Sequence, residues 1–301
     1  IYYWMTYASG RLRNRGYARH YVLLKEQYIP LPPLAEQKRI VAKIEEMLPY
    51  IDRYEQAWSK LEDFNKRFPT DMQKSILQTA IQGKLVEQRH EEGTAEELYK
   101  QIQTEKQRLI KAGTIKKEKH LPEITEDEKL FDIPDSWKWV YIGDLFQHNT
   151  GKGLNASDKL GTPLEYITTS NVYWNRFELD KLKTMLFTDA EIERCSVQKG
   201  ELLVLEGGDI GRAAIWNYDF PMRIQNHIHR LRPYDDICIE FFYHIFFLNK
   251  NAGFINGKGI GIKRLSANAL HKLVIPLPPL AEQKRIVAKL EEILPLCDKL
   301  K

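Results

Sequence analysis

The chain has 301 residues, with 45 Lys and Arg against 41 Asp and Glu, for a net charge of +4. So even a balance excludes a protein that coats nucleic acid by bulk charge, and 43% hydrophobic residues exclude disorder as the main state. No run approaches the ~18 apolar residues of a membrane span. Three widely spaced cysteines, Cys195, Cys238 and Cys297, offer neither a disulfide framework nor a zinc knuckle, which points to a reducing cytoplasm.

Residues 29–43 read IPLPPLAEQKRIVAK, and the same fifteen letters return at 275–289, an offset of 246 residues. Something the size of a domain plus a connector lies between the copies. Upstream, Ile1-Tyr2-Tyr3-Trp4 and a Gly/Arg-rich turn look like a shorter Phe241–His244 with its Gly253–Gly261 segment. The expectation is that 1–28 closes a first domain whose body lies outside the sequence, and that 275–301 opens a second, truncated connector.

In chain order, Pro30, Pro32 and Pro33 hold the chain extended, and Pro33 suits a first helical turn. Apolar residues from Leu34 through Ile40, Ile44 and Ile51 recur at helical period, and Pro49 should break or kink that helix. The pattern resumes in coiled-coil-like fashion at Tyr54, Trp58, Leu61 and Phe64. A second helix is expected after Pro69-Thr70-Asp71, reaching Gly83, which either ends it or lets another backbone approach closely. A capping box at Thr94–Glu97 starts a third helix, stopped at Gly113. The helical region is thus 29–111, with an apolar stripe that needs a partner, and 112–134 reads as a charged linker.

From 135 to 274 the texture is that of a mixed α+β domain. Strands are expected at Lys138–Ile142, Tyr166–Thr169, Leu202–Leu205, Ala213–Trp216 and Ile228–Leu231, with helices at Ile239–Leu248 and near Ser266–Lys272. No phosphate loop, HExxH or GxSxG elbow occurs, so no catalytic residue is assigned. Gly207–Arg212 reads as a tight hairpin turn, with Arg212 a possible DNA contact. His227 and His229 alternate on a strand and should share a face, yet no zinc-type spacing surrounds them and no metal site is assigned. Gln225 and Asn226 carry amides of the kind that read adenine edges. Residues 135–275 hold 17 Lys and Arg against 16 Asp and Glu, so a DNA-binding surface there must be a local patch. Lys152, Lys258, Lys263 and Arg264 are its basic candidates, each of which can equally be a solvated side chain on a turn. Asn171 and His227 complete the set.

These residues resemble one family, the DNA-specificity subunit of type I restriction-modification systems. The resemblance rests on the doubled IPLPPLAEQKRIV, on SILQTAIQGKLV at 75–86, on IPDSWKWVYIGDL, and on KGELLVLEGGDIGRAAIW at 199–216. It implies an α+β target-recognition domain (135–274) joined to long helical conserved regions. The implied role is non-catalytic: one domain reads a half-site of a bipartite duplex, while helices dock modification subunits and, through them, restriction subunits. Leu34, Ile40 and Ile44, with their repeats Leu280, Ile286 and Leu290, are the expected docking residues. No cofactor is expected on this chain; S-adenosylmethionine, ATP and Mg would belong to the partners. A homodimer of this form would supply two reading domains. Two other classes remain open: an assembly scaffold whose α+β domain binds protein, and a stand-alone DNA enzyme.

Overall fold

A computed structural model describes residues 1–11, 28–117, 121–155, 159–253, 255 and 265–300. By compactness the chain divides into Ile1–Asn65 and Lys66–Lys301. The first unit holds α1 (Tyr2–Arg11) and the beginning of α2 (Leu34–Ile81). The repeat builds the same helix start twice. Gln37 Nε2 donates to the Pro32 carbonyl at 2.8 Å, and Gln283 Nε2 to that of Pro278 at 2.9 Å, at the head of α8 (Leu280–Asp298). Pro49 and Pro69 interrupt neither the helix nor its assignment: α2 is continuous from Leu34 to Ile81, where two helices were expected, and Pro295 likewise lies inside α8. An interior proline costs about 3 kcal/mol, and burial of Ile286, Val287 and Leu290 offsets that cost in α8.

Gly83 ends the helix with φ of +69°, and what packs closely against it is the Pro134 ring, where a Cβ would lie 2.4 Å from Cγ, and not another backbone. The Thr94 capping box forms, with Glu97 N–H on Thr94 Oγ1 and Thr94 N–H on Glu97 Oε2, and α3 (Ala95–Lys111) follows. Leu77, Ala80, Ile81, Ala95, Leu98 and Ile102 all enter the main core. The end of α2 and α3 thus satisfy their apolar stripes within this chain.

The α+β part contains β1 (Lys138–Tyr141), α4 (Ile142–Leu145), β2 (Phe146–Thr150), β3 (Thr162–Ile167), β4 (Val172–Tyr173), β5 (Arg176–Phe177) and β6 (Lys183–Phe187). It continues with α5 (Asp189–Cys195), β7 (Ser196–Val197), β8 (Leu202–Leu205), β9 (Ala213–Ile215), β10 (Met222–Ile224), β11 (Ile228–Pro233), α6 (Ile239–Asn251), α7 (Ala267–His271) and β12 (Val274–Leu277). One antiparallel sheet has the order β2-β11-β8-β9 and a mixed one the order β6-β3-β10-β7. The run Leu202–Leu205 is buried at every position, because β8 has a core on each side. Leu202 and Val204 join the helices, whereas Leu203 and Leu205 join Val172, Trp216 and Ile224 between the sheets. Helix α6, apolar nearly all round, is buried for the same reason.

The second copy of the repeat closes this domain. Its prolines pair as β12 against β1, with Trp139 opposite Pro276. Its helix then engages its polar residues inward: Trp137 Nε1 donates to Glu282 Oε2 at 2.9 Å, Gln88 Nε2 to Glu282 Oε1 at 2.5 Å, and Cys238 N–H to Gln283 Oε1 at 3.0 Å. Arg285 forks onto Glu92 with both bonds at 2.7 Å. Ile286 and Leu290, expected to dock a partner, are 0% and 1% exposed within this core, and Leu280 packs against it. Their first-copy equivalents differ: Leu34 is 68% and Ile40 45% exposed, and Ile44 is half-buried. Ile286→Ala should therefore cost about 2–5 kcal/mol and Ile40→Ala within about 0.5 kcal/mol, as read by urea unfolding of the full chain.

Candidate nucleic-acid interface

At one end of the two sheets, several loops are tied together by their backbones. Residues 225–227 form the turn from β10 to β11. Gln225 N–H donates to the Ile167 carbonyl, Asn226 N–H to Lys152, and the His227 carbonyl accepts from Glu206, each at 3.0 Å. Gly151 makes this possible: a Cβ there would fall 1.8 Å from the Ile224 carbonyl oxygen, so only glycine lets the two strands of backbone pass. The side chains of Gln225 and Asn226 are half-buried, and neither amide has a hydrogen-bond partner among the described residues. His227 sits beside them, with Nδ1 3.4 Å from Glu206 Oε2. Two adaptable amides on a pinned turn can receive a donor–acceptor pattern such as a base edge presents.

Other expected residues take different roles. Lys152 is 6% exposed, and its Nζ is held at 2.8 Å by both Glu191 and the Leu186 carbonyl. The Lys152 hydrogen bond, with help from Thr188, draws the Glu191 carboxyl down to about 2. This lysine fastens the 150–153 loop to α5 and does not face outward. Asn171, 9% exposed, accepts from Thr168 N–H at 2.9 Å and donates to the Glu178 carbonyl at 2.9 Å, so its amide is spent on closing a turn. Gly207–Arg212 is the expected β8–β9 hairpin connection. Within it Arg212 donates to Asp209 at 2.8 Å and to the Val172 carbonyl at 3.0 Å, and Lys250 approaches the same Asp209 at 2.7 Å. Lys258, Lys263 and Arg264 lie outside the described residues.

His227 and His229 lie on the same side of the chain, His227 beside Glu206 and His229 opposite Val204, but differ in burial. His227 precedes the strand, whereas His229 is fully buried, with Nδ1 2.7 Å from His148 Nε2 and Nε2 2.7 Å from the Leu265 carbonyl. Among the described residues no group of three His, Cys, Asp or Glu is placed to hold a metal, and no helix is long and apolar enough to cross a membrane. Sequence reasoning missed Arg230, 1% exposed and bonded to the Ser196 carbonyl, and Glu201, which pairs with Arg232. Alternation along β11 was the available signal, yet nothing local announces a buried arginine.

Burial, followed by the neighbouring His229 and His271, lowers His148 from 6.5 to about 3, and burial alone lowers His244 to about 4. Both stay neutral in the fold while the unfolded chain takes up protons, so stability falls as pH drops below 6.5, by at most about 1.4 kcal/mol per pH unit for each histidine. Thermal melts between pH 6.5 and 5, above the carboxylate range, should show that slope in the wild type and a shallower one in His148→Asn.

The family model for the type I restriction modification DNA specificity domain matches residues 134–301, and the chain belongs to that family. Among curated relatives, the EcoAI specificity subunit of Escherichia coli is 26% identical over 322 aligned positions, covering 91% of this chain and 54% of the relative. The EcoEI specificity subunit, also of Escherichia coli, is 26% identical, covering 99% and 58%. The chain thus spans a little over half the length of these relatives. A solved HsdS subunit from Thermoanaerobacter tengcongensis aligns at 21% identity with a TM-score of 0.46, over 91% of this chain and 54% of that one.

Proposed function

We propose that this chain selects sites for a type I restriction-modification enzyme, its 135–274 domain reading one half-site of a split duplex sequence. The observation that carries this reading is the pinned turn whose two amides, Gln225 and Asn226, have no hydrogen-bond partner among the described residues, beside His227. Chemistry is assigned to other subunits: S-adenosylmethionine, ATP and Mg act there, and this chain binds none of them. The first-copy face, with Leu34 and Ile40 exposed and Ile44 half-buried, is the side offered to a modification subunit. Two copies related by a twofold would place two reading domains on two half-sites.

The test is copurification with candidate modification subunits, followed by mapping of methylated sites. Gln225→Ala with Asn226→Ala should leave the complex intact and relax one or two positions of the methylated sequence, each by about 1–3 kcal/mol of discrimination. An unchanged methylated sequence removes the turn from base reading. Asp at both Ile40 and Ile44 should abolish copurification while the α+β domain stays folded; retained association assigns docking to another face.

A further inference from the structure

The two-residue turn between β4 and β5 presents Arg176 in an unusual setting. Its guanidinium carbon lies 4.7 Å from the Tyr173 ring centroid, and that of Arg212 lies 5.4 Å from the same ring. One tyrosine therefore organises two arginines, a contact that orients a guanidinium plane without consuming its donors. Arg212 spends its donors on Asp209 and the Val172 carbonyl. Arg176 does not: its ionic contact is Glu178 at 3.3 Å, with the side chains 63% and 50% exposed. A pair this open is worth at most about 1 kcal/mol and exchanges readily for a better anion.

The turn that carries Arg176 is held from several sides. Asn175 has φ of +46°, the left-handed conformation that asparagine tolerates best among non-glycine residues in turns. Its N–H donates to the Ala213 carbonyl at 3.2 Å, and its Oδ1 accepts from Ile215 N–H at 3.4 Å. Trp174 is wedged edge-on against Phe247 at 4.9 Å and Tyr243 at 6.1 Å. These contacts fix the geometry of the hairpin and with it the position of Arg176. The charge nearby is positive: Arg176, Arg212 and Lys250 stand against Asp209 and Glu178, and Asp209 is shared by two cations. The 206–212 loop links the hairpin to the reading turn: Arg212 bonds to the Val172 carbonyl, Glu206 N–H to the His227 carbonyl, and Gly208 approaches Thr169.

We propose that Arg176, oriented by Tyr173, clamps a phosphodiester of the duplex whose bases the Gln225–His227 turn reads. A guanidinium fork matches two phosphate oxygens, and a contact to the backbone sets register without carrying sequence information. Tyr173 is a positioning residue here, and Arg212 with Asp209 and Lys250 forms the fixed base against which it rests. The proposal depends on the DNA-reading role of the domain.

The experiment is fluorescence anisotropy of the full chain, in complex with its modification subunits, on a site-bearing and an unrelated duplex across a salt series. Arg176→Ala should weaken both duplexes by the same factor and lower the slope of log affinity against log salt by about 0.9. Arg176→Lys should restore the slope, and Tyr173→Leu should weaken both duplexes while Tyr173→Phe does not. Unchanged affinity and slope in Arg176→Ala overturn the clamp, as does a loss confined to the site-bearing duplex, which would make Arg176 a base reader. A loss of modification-subunit binding with the slope intact overturns it in favour of a protein contact. A wild-type complex with no salt-dependent duplex binding defeats the DNA-reading role itself, a result separable from all of these.

Discussion

Glu282 is a carboxylate with 2% of its surface exposed, and burial raises its pKa despite hydrogen bonds from the Trp137 indole and the Gln88 amide. Much of the 66–301 unit depends on that group. Trp137 opens the α+β domain, Glu282 follows its last strand, and Gln88 belongs to the connector after α2, so one side chain ties together three segments far apart in sequence. Loss of a partner would leave a buried acceptor unsatisfied, at about 1–3 kcal/mol, or more for a charge. The Arg285–Glu92 fork and the Gln283–Cys238 bond extend the same seam.

The repeat shows how one sequence serves two environments. In the second copy Glu282, Gln283, Arg285, Ile286 and Leu290 are engaged by their own domain. In the first copy the same residue types, Glu36, Gln37, Arg39 and Ile40, begin an identical helix, yet Ile40 remains 45% exposed. The motif is therefore a helix start with a two-sided adhesive, polar at its first turn and apolar along the next. What it adheres to is decided by which surface stands opposite.

Much of this was legible in the sequence. The doubled motif, the Thr94 capping box, the Leu202–Leu205 run and the apolar α6 each carry local signals strong enough to fix an element. Continuity through Pro49 was not legible, because an interior proline raises the cost of a helix by about 3 kcal/mol without forbidding it. Among site residues, Gln225, Asn226 and His227 lie on the turn before β11, where the alternation with His229 had put His227 on the strand itself. Lys152 misled, since its burial depends on Glu191, delivered by a sheet order of β6-β3-β10-β7 that sequence proximity does not encode. Asn171 misled because an amide in a turn closes that turn as readily as it meets a ligand. Arg176 passed unnoticed: its significance comes from a tyrosine three residues earlier and an arginine across a hairpin.

The central claim is that the loop end built from 150–153, 206–212 and 225–228 is the face that meets DNA. Hydrogen–deuterium exchange of the chain in its modification complex, with and without a site-bearing duplex, addresses it most directly. The account predicts that duplex slows exchange in those three segments and in the 172–177 hairpin, while α3 at 95–111 is unchanged. Protection confined to α3 and α8, with the loop end exchanging as before, would contradict it.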